Sequence, residues 1–456
     1  MSKEKKVGGN LTEGSIVRLL FVFAIPIVLT NLIQQLYSMV DLMVIGKFVG
    51  STGTVGVSTG GELSDLMTPV ATAFASAGQI YIAQLIGARD EKRARETMGT
   101  LITLMLLISI FCTVVAVAFC SPILNLLNCP EEAFSNAMAY MIITAIGMPF
   151  IFGYNAVCGI LRGMGESKKP LQFIIVAAVV NIVFDLLLVA GFRMGAAGAA
   201  IATVMSQLGS FAAAFFFLYR NREQFDFELN LSYFRMNRAH LKILVTLGIP
   251  QLVKTLLVNF SMMWVNANVN SYGLVISATN SVGNKLQKFT NVFMNGVDTA
   301  SAAMVGQNLG ARKTDRARKT VLCTFCGCMI IATFASILAL TIPRGLFSIF
   351  TDDSQVIGMG VDYMRIMVMS FYMSAFTGSL QSMVTGSGYV SLGFLIGIMD
   401  GVVCRIGFSL LFLYVFHMGA HSFWWGTAFS RTIPGLICLL YLVSGKWKTR
   451  KLLGEK

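Results

Sequence analysis

Long runs of apolar residues alternate with short polar stretches along the whole chain. A helix needs about 20 apolar residues to cross the hydrocarbon core of a bilayer. Runs of at least about this length cover 16–45, 54–86, 97–120, 134–162, 169–191, 196–219, 241–271, 277–309, 319–342, 356–386, 391–416 and 420–444. The pattern predicts an all-α polytopic membrane protein with about 12 transmembrane helices.

Basic residues are concentrated in every second loop between these runs. They occur at 3–6, 89–95, 162–169, 220–242, 312–319 and 446–451. The other loops carry Glu131, Glu132, Asp352 and Asp353 and few cations. Because cytoplasmic loops are enriched in Lys and Arg, both termini are predicted to be cytoplasmic. The predicted location is the cytoplasmic membrane of a bacterium or archaeon.

One motif occurs twice, in each half of the chain. The stretch QLIGAR from Gln84 to Arg89 is repeated as QNLGAR from Gln307 to Arg312, an offset of 223 residues. Each half contains six runs, an even number, so two six-helix lobes of the same orientation are predicted, related by a pseudo-twofold axis along the membrane normal. The predicted limits are 1–219 for the first lobe, 220–240 for a cytoplasmic linker, 241–445 for the second lobe and 446–456 for a cytoplasmic tail.

Composition agrees with a membrane protein and excludes several other classes. Only 12% of the residues are charged and 55% are hydrophobic, whereas soluble domains have about 25% charged residues. The net charge of +13 is explained by the basic loops, so nucleic acid is not a predicted partner. The spacing of Cys323, Cys326 and Cys328 resembles a metal motif, but no His or acidic residue accompanies it, and no metal or cofactor is predicted.

Acidic residues inside spans are costly and mark functional sites. Asp41 lies in span one and Asp185 in span five, with Asn181 one helical turn before Asp185 and Thr203 in span six. Carboxyl groups that are buried together exchange protons readily, because desolvation and a neighbouring negative charge both favour the neutral form. The same oxygens can instead coordinate sodium. The alternative is that these aspartates only form hydrogen bonds between helices.

The second lobe has basic residues at equivalent positions. Lys285 and Lys288 correspond to Glu62 and Asp65 in the repeat register. These four residues are predicted to pair across a cleft between the lobes, and the alternative is that they are solvated at the outer interface. Arg405, in span eleven, is the third basic residue of the predicted cleft and gate.

The remaining candidate residues form a predicted substrate cleft. Methionine and aromatic side chains can repack around varied apolar ligands. The candidates are Gln34, Tyr37, Met262, Met263, Phe371 and Tyr372. Packing within a core is the alternative interpretation of the methionine and aromatic residues. The predicted partners are lipid and small-molecule substrates, and the chain is expected to be a monomer.

The duplicated motif, Gly248-Ile249-Pro250 and the glycine pair Gly163 and Gly165 make the chain resemble the multidrug and toxic compound extrusion (MATE) family. The resemblance implies two six-helix lobes that alternate access, and export of organic cations and other drugs by antiport with protons or sodium. The acids of the first lobe resemble those of the DinF-like branch. That similarity implies a coupling-cation site at Asp41, Asn181, Asp185 and Thr203.

Two other functions remain open at this point. A lipid-linked oligosaccharide flippase of the same superfamily would use basic groups in the cleft to hold a pyrophosphate. An exporter of zwitterionic or anionic metabolites would also suit a basic second lobe. An enzyme is not predicted, because the sequence has no nucleotide-binding loop and no nucleophile–His arrangement.

Overall fold

A computed structural model of the chain describes residues 9–222 and 234–455, apart from the side chains of residues 42, 51, 52 and 65. The lysines near the N-terminus, most of the predicted linker and the side chain of Asp65 therefore lie outside the described residues. The first half contains α1 (Ile16–Phe48), α2 (Gly50–Gly87), α3 (Glu91–Ala118), α4 (Cys120–Leu126), α5 (Glu131–Ile146), α6 (Met148–Gly163), α7 (Lys168–Phe184), a first π-helical segment (Asp185–Gly191) and α8 (Gly195–Arg220).

The second half repeats this series of helices. It contains α9 (Arg238–Asn270), α10 (Leu274–Gly310), α11 (Thr314–Thr341), α12 (Pro343–Ser348), α13 (Ser354–Gly386), α14 (Val390–Ile398), a second π-helical segment (Met399–Cys404), α15 (Arg405–Tyr414), α16 (His421–Phe429) and α17 (Thr432–Ser444). Every regular element in the described part of the chain is helical, which confirms the predicted all-α class.

The membrane-spanning helices agree closely with the apolar runs. Ten helices, some of them continued through a π segment or a short break, are long and apolar enough to cross a bilayer, and an eleventh is counted when α5 and α6, bent by 44°, form one span. The remaining predicted span corresponds to α10, which has 37 residues. Its interior carries Lys285, Lys288 and Asp298, so it lacks a sufficiently apolar stretch, although it is long enough to cross the membrane.

The chain forms two compact units, and each includes half of a helix from the other part of the sequence. The first unit contains Leu29–Gly248, and the second contains Leu11–Val28 together with the chain from Ile249 onward. The unit limits therefore fall inside α1 and α9, close to Pro26 and Pro250, and not in the linker. Proline inside a helix removes one backbone hydrogen bond, so each helix changes unit where its ladder is weakest.

Specific contacts hold these exchanged half-helices in place. In the first unit, His240 at the start of α9 lies 3.0 Å from the Tyr81 hydroxyl and 3.1 Å from Glu96. In the second unit, Leu11, just before α1, donates its backbone N–H to the Gln307 side chain at 3.2 Å. Arg316 donates to the Gly14 carbonyl at 2.8 Å. Polar anchors thus fix the beginning of each exchanged segment.

The duplicated motif forms the same turn in both units. Arg89 and Arg312 adopt left-handed backbone conformations, with φ of 58° and 57°. The next residue donates its N–H five residues back, from Asp90 to Leu85 at 3.0 Å and from Lys313 to Asn308 at 2.8 Å. This pattern is a Schellman-type helix C-terminus. The residues shared by the two copies of the motif therefore lie where α2 and α10 end.

The glycine pair of each repeat allows two helices to approach closely. A Cβ added to Gly163 would lie 2.8 Å from the Gln79 carbonyl oxygen, and one added to Gly386 would lie 2.8 Å from that of Ala302. Such contacts are too short for any larger residue. Small residues at helix interfaces are typical of packing in membranes, and the same contact occurs in both units.

Aromatic and small side chains fill the cores. In the first unit, Ile45, Val57 and Tyr140 pack with alanines of α8. In the second unit, the rings of Tyr363 and Trp424 meet edge to face at 5.1 Å between centroids. These cores support the helices that carry the buried charges described next.

Candidate functional site

The acidic residues of the first unit lie where a helix changes its winding. α7 ends at Phe184 and continues directly as a π-helical segment that begins with Asp185. Asp185 is fully buried, and Asn181 is 1% exposed. π-helical turns inside α-helices often occur at functional sites. Here the turn begins at the buried aspartate.

Asp41 and Asp185 are close neighbours. Each carboxyl group lies within electrostatic range of the other, although α1 and α7 are far apart in sequence. Within the described residues, Asp41 Oδ1, both Asp185 carboxyl oxygens and Asn181 Oδ1 are buried without a hydrogen-bond partner. Buried polar atoms nearly always have partners. The two carboxyl groups are close enough to share a hydrogen bond when one of them is protonated. Without that proton, four buried oxygens on three residues have no partner among the described residues, and this marks a candidate site.

A hydrogen bond connects this site to α8. The side chains of Tyr37 and Gln207 interact; Tyr37 is one turn before Asp41, and Gln207 is one turn after Thr203. Spans one and six run in opposite directions across the membrane. The contact therefore brings Thr203 toward the level of Asp41, and the position of Gln207 was not singled out from the sequence.

The buried oxygens of this site suit a hard cation or a proton. Carboxylate and amide oxygens are ligands for hard cations, whereas transition metals favour imidazole and thiolate. In the part of the chain that the structure describes, no group of three or more His, Cys, Asp or Glu residues is arranged to hold a metal ion. These side chains are of the types that exchange protons or bind hard cations.

The second unit contains a different buried cluster. Asp400, in the second π-helical segment, accepts from Arg405 at 3.2 Å and lies 3.5 Å from Arg431 Nε. Asp298 accepts from the Cys328 thiol at 3.6 Å. Lys254 lies within electrostatic range of both aspartates. Arg431 was not singled out from the sequence. It could have been found as a basic residue in the middle of the apolar run 420–444.

The predicted gating charges lie on both units, and their pairing stays a prediction. Glu62 is exposed on α2 of the first unit, and Lys288 is exposed on α10 of the second. The Lys285 ammonium lies 5.8 Å from the centre of the Phe350 ring. Arg405 is only 4% exposed and forms an ion pair within its own unit, so it is a buried structural partner of Asp400 and not an exposed cleft residue.

The predicted cleft residues also differ in exposure. Met263 is 70% exposed, whereas Phe371 is 2% exposed and packs in the core of the second unit. Phe371 therefore does not line a surface, because its ring fills the space between helices. Met262 contacts Arg405, and the Tyr372 hydroxyl donates to Thr333 at 3.2 Å. Gln34 is partly buried on α1, one turn before the Ser38 hydroxyl that donates to its carbonyl at 3.0 Å.

Membrane-length helices in two repeats, with unsatisfied acids buried in one of them, define a membrane transport protein. The family model MatE matches residues 26–187 and again residues 250–411. The two matches are related by an offset of 224 residues and cover most of the chain. The chain belongs to the MatE family.

Relatives and a solved structure agree with this assignment. The chain is 26% identical over 394 residues to the "Probable multidrug resistance protein YoeA" of Bacillus subtilis, which covers 85% of each chain. It is 22% identical to the "Multidrug export protein MepA" of Staphylococcus saprophyticus over 94% of each chain. A structure described as the outward-facing conformation of a multidrug resistance MATE family transporter has a TM-score of 0.90 at 20% identity, covering 99% of this chain and 100% of that one.

Proposed function

We propose that this protein is a multidrug efflux antiporter. It exports small amphipathic compounds, organic cations among them, across the cytoplasmic membrane and uses a proton or sodium gradient. The names of the relatives, multidrug resistance and multidrug export proteins, support the transport class. The observation that carries the coupling is the set of unsatisfied oxygens on Asp41, Asn181 and Asp185.

Coupling follows from competition for these oxygens. A cation bound between Asp41 and Asp185 offsets the cost of burying two negative charges. A state without the cation must satisfy them differently, for example with a cationic substrate. Only a difference in affinity between two states can couple two ligands. Two buried carboxyl groups that can pair with each other only when a proton lies between them have a large difference of this kind, which supports the DinF-like assignment of Asp41, Asn181, Asp185 and Thr203.

The flippase alternative receives less support. Holding a pyrophosphate requires basic groups whose charge is available. Arg405, one of the candidates for that role, is neutralised by Asp400 at 3.2 Å. Lys285 and Lys288 remain exposed, but they lie on one helix and no further basic group of the proposed set accompanies them.

The test is ethidium flux into and out of liposomes that contain the purified protein, under an imposed pH gradient or an imposed sodium gradient. One of the two gradients should drive wild-type flux. Asp41→Asn and Asp185→Asn should reduce gradient-driven flux to the level of empty liposomes. Asp352→Asn, which changes an exposed loop aspartate, is the matched control and should behave as wild type. The proposal would be rejected if ethidium flux were the same with and without each gradient and the same in wild type and both site variants.

A further inference from the structure

The last span of the second unit is broken near its middle. α16 ends at Phe429 and α17 begins at Thr432, with Ser430 and Arg431 in the turn between them. The N-terminus of a helix carries partial positive charge. In transporters with discontinuous helices, such half-helix N-termini point at anionic groups of the substrate. The break therefore places one feature of an anion site beside the Asp400 cluster.

An ammonium group without a partner lies in the same cluster. Lys254 is in the middle of α9, partly buried, and within electrostatic range of Asp400, Arg431 and Asp298. Among the described residues, no acceptor lies within hydrogen-bond or ion-pair distance of its Nζ atom. A charged group inside a span is costly unless it is paired or functional. The free ammonium is the second, independent feature of an anion site.

The packing around Lys254 is specific. A Cβ added to Gly397 would lie 2.7 Å from Lys254 Cβ, and one added to Gly401 would lie 3.0 Å from Leu257 Cβ. Two glycines one helical turn apart thus allow α9 to approach α14 and the second π-helical segment. This close approach fixes the stem of Lys254 next to Asp400 without giving its ammonium a partner.

Both carboxylate oxygens of Asp400 already face donors. Asp400 Oδ1 accepts from Arg405 and, at 3.4 Å, from Ser430, while Oδ2 faces Arg431. Three basic and two acidic side chains are assembled, so the cluster has one more positive than negative charge. Arg405 Nε and Thr432 Oγ1 are buried without a partner among the described residues. Donors exceed acceptors, and an added anion would correct this imbalance.

We propose that Lys254, Arg431 and the start of α17 at Thr432 form a subsite for an anionic group, such as a carboxylate, on an amphipathic substrate. The inference rests on the proposed export function and narrows its substrates toward zwitterionic and anionic compounds. A bound carboxylate would receive a charge-assisted hydrogen bond from the Lys254 ammonium. Arg431, which is 29% exposed at its side chain, can contribute a second donor.

Two dyes that differ only at a carboxyl group test the subsite. Rhodamine B carries a free carboxylate and is zwitterionic at neutral pH, whereas its ethyl ester is a cation with the same ring system. Binding of each dye to the detergent-solubilised protein is measured by fluorescence polarisation. Wild type should bind rhodamine B about tenfold more tightly than the ester, a difference of about 1.4 kcal/mol.

The variants separate charge from structure. Lys254→Gln and Lys254→Met should remove the preference for rhodamine B and leave ester binding unchanged, while Lys254→Arg should retain it. Lys319→Gln, which removes an exposed lysine of the same unit, should bind as wild type. Unfolding temperatures are measured for every variant, and Lys254→Met replaces Lys254→Gln if the latter does not fold.

Each outcome decides the inference. Equal wild-type affinity for the two dyes, or a preference that survives in both uncharged variants, would overturn the subsite. Gradient-driven export of the ester is measured separately in liposomes. If the ester is exported but the Lys254 variants have the same relative affinity for the two dyes as wild type, the subsite is rejected and the proposed function is kept. If wild type neither binds nor exports either dye, both proposals are rejected.

Discussion

The two units share a scaffold but treat their buried charges differently. In the first unit, Asp41 and Asp185 have like charge and unsatisfied oxygens. In the second unit, the carboxylate of Asp400 is held by two guanidinium groups. A buried charge with partners contributes to a fixed structure, and one without partners is available to a ligand. From this comparison we expect ion exchange in the first unit, whereas the second unit contains a positive, largely paired cluster.

The repeat register shows which positions differ between the two copies. At an offset of 224, the counterpart of Asp41 is Val265, which is 2% exposed in an apolar cluster, and that of Asp185 is Ser409. Arg431 occupies the position equivalent to Gln207. The two acids of the first copy are therefore replaced by an apolar residue and an uncharged polar residue in the second, where a basic residue stands in place of a glutamine.

The largest expected effect is a change in the free energy of unfolding when a buried aspartate is replaced by asparagine. The replacement should destabilise the second unit but not the first. Asp400→Asn leaves Arg405 and Arg431 without a carboxylate, and breaking a buried pair costs about 3–5 kcal/mol. Asp185→Asn removes a charge whose near neighbour, Asp41, has the same sign, and the asparagine amide can still donate to Asp41, so the free energy of unfolding should not fall. Thermal and denaturant unfolding in detergent measure both, with Asp352→Asn as the control. Equal losses in the two variants would contradict the comparison.

Packing around Asp298 tests whether the second unit depends on close contacts at its charges. A Cβ added to Gly378 would overlap the Asp298 carboxylate, whereas one added to Gly358 on the same helix has nothing within 4 Å. Overpacking of this kind costs about 1–3 kcal/mol. Gly378→Ala should lower the free energy of unfolding by that amount, and Gly358→Ala should not. A neutral Gly378→Ala would show that Asp298 moves freely.

A double-mutant cycle tests the interaction between the first-unit acids. Interaction energies of neighbouring groups are about 0.5–3 kcal/mol. At alkaline pH, removing either charge should relieve repulsion, so Asp41→Asn combined with Asp185→Asn should stabilise less than the sum of the two single changes. The free energy of unfolding is measured for all four proteins. Strict additivity would mean that the two carboxyl groups do not interact.

The smallest effect is expected at an exposed ion pair outside the membrane. A hydrogen bond from the Leu452 N–H and, after it, the Arg312 guanidinium at 2.6 Å hold the pKa of Glu455 below its usual value. The pKa of Glu455 is lower in the folded protein than in the unfolded chain. The contact therefore stabilises the folded protein fully at pH values above the unfolded-chain pKa, and this stabilisation is lost as pH falls through the folded-state pKa. Exposed pairs contribute about 0–1 kcal/mol.

The measurement for this pair is the hydrogen-exchange protection factor of the Leu452 amide between pH 7 and pH 3. Protection should fall toward pH 3, and Glu455→Gln should show the low value throughout. Protection that is independent of pH in wild type would show that the carboxylate is not involved. A large effect on global stability would weaken the contrast between exposed and buried pairs.

Much of the architecture was predictable because bilayer crossing imposes a length and an apolar composition. The apolar runs matched the spans, and the offset of the repeat predicted the two halves. The unit limits inside α1 and α9 were not predictable, because an exchanged half-helix has the same periodicity as one that stays in its own unit. Composition alone was also a poor guide for α10. This helix is long enough to cross the membrane, but the polar residues in its interior keep its hydropathy low.

The chemistry was predictable only in part. Intramembrane acids are visible in sequence because they are rare, and Asp41 and Asp185 were chosen on that basis. Asn181 was added because it lies one helical turn before Asp185. Whether a charge has a partner depends on helices that are distant in sequence. Arg405 was therefore assigned to the cleft, although Asp400, five residues earlier, reaches it within a π-helical turn. The free ammonium of Lys254 required the contacts of the folded unit to be known.

The most direct test of the central claim is to count the cations that substrate binding displaces. Purified protein in weakly buffered detergent solution receives ethidium, and released protons are recorded with a pH indicator while bound radioactive sodium is followed in parallel. Wild type should release about one cation per ethidium bound, the expectation for ligands that compete for one state, and Asp185→Asn should release none. Ethidium binding with no cation release in wild type, or with full release in Asp185→Asn, would contradict the account.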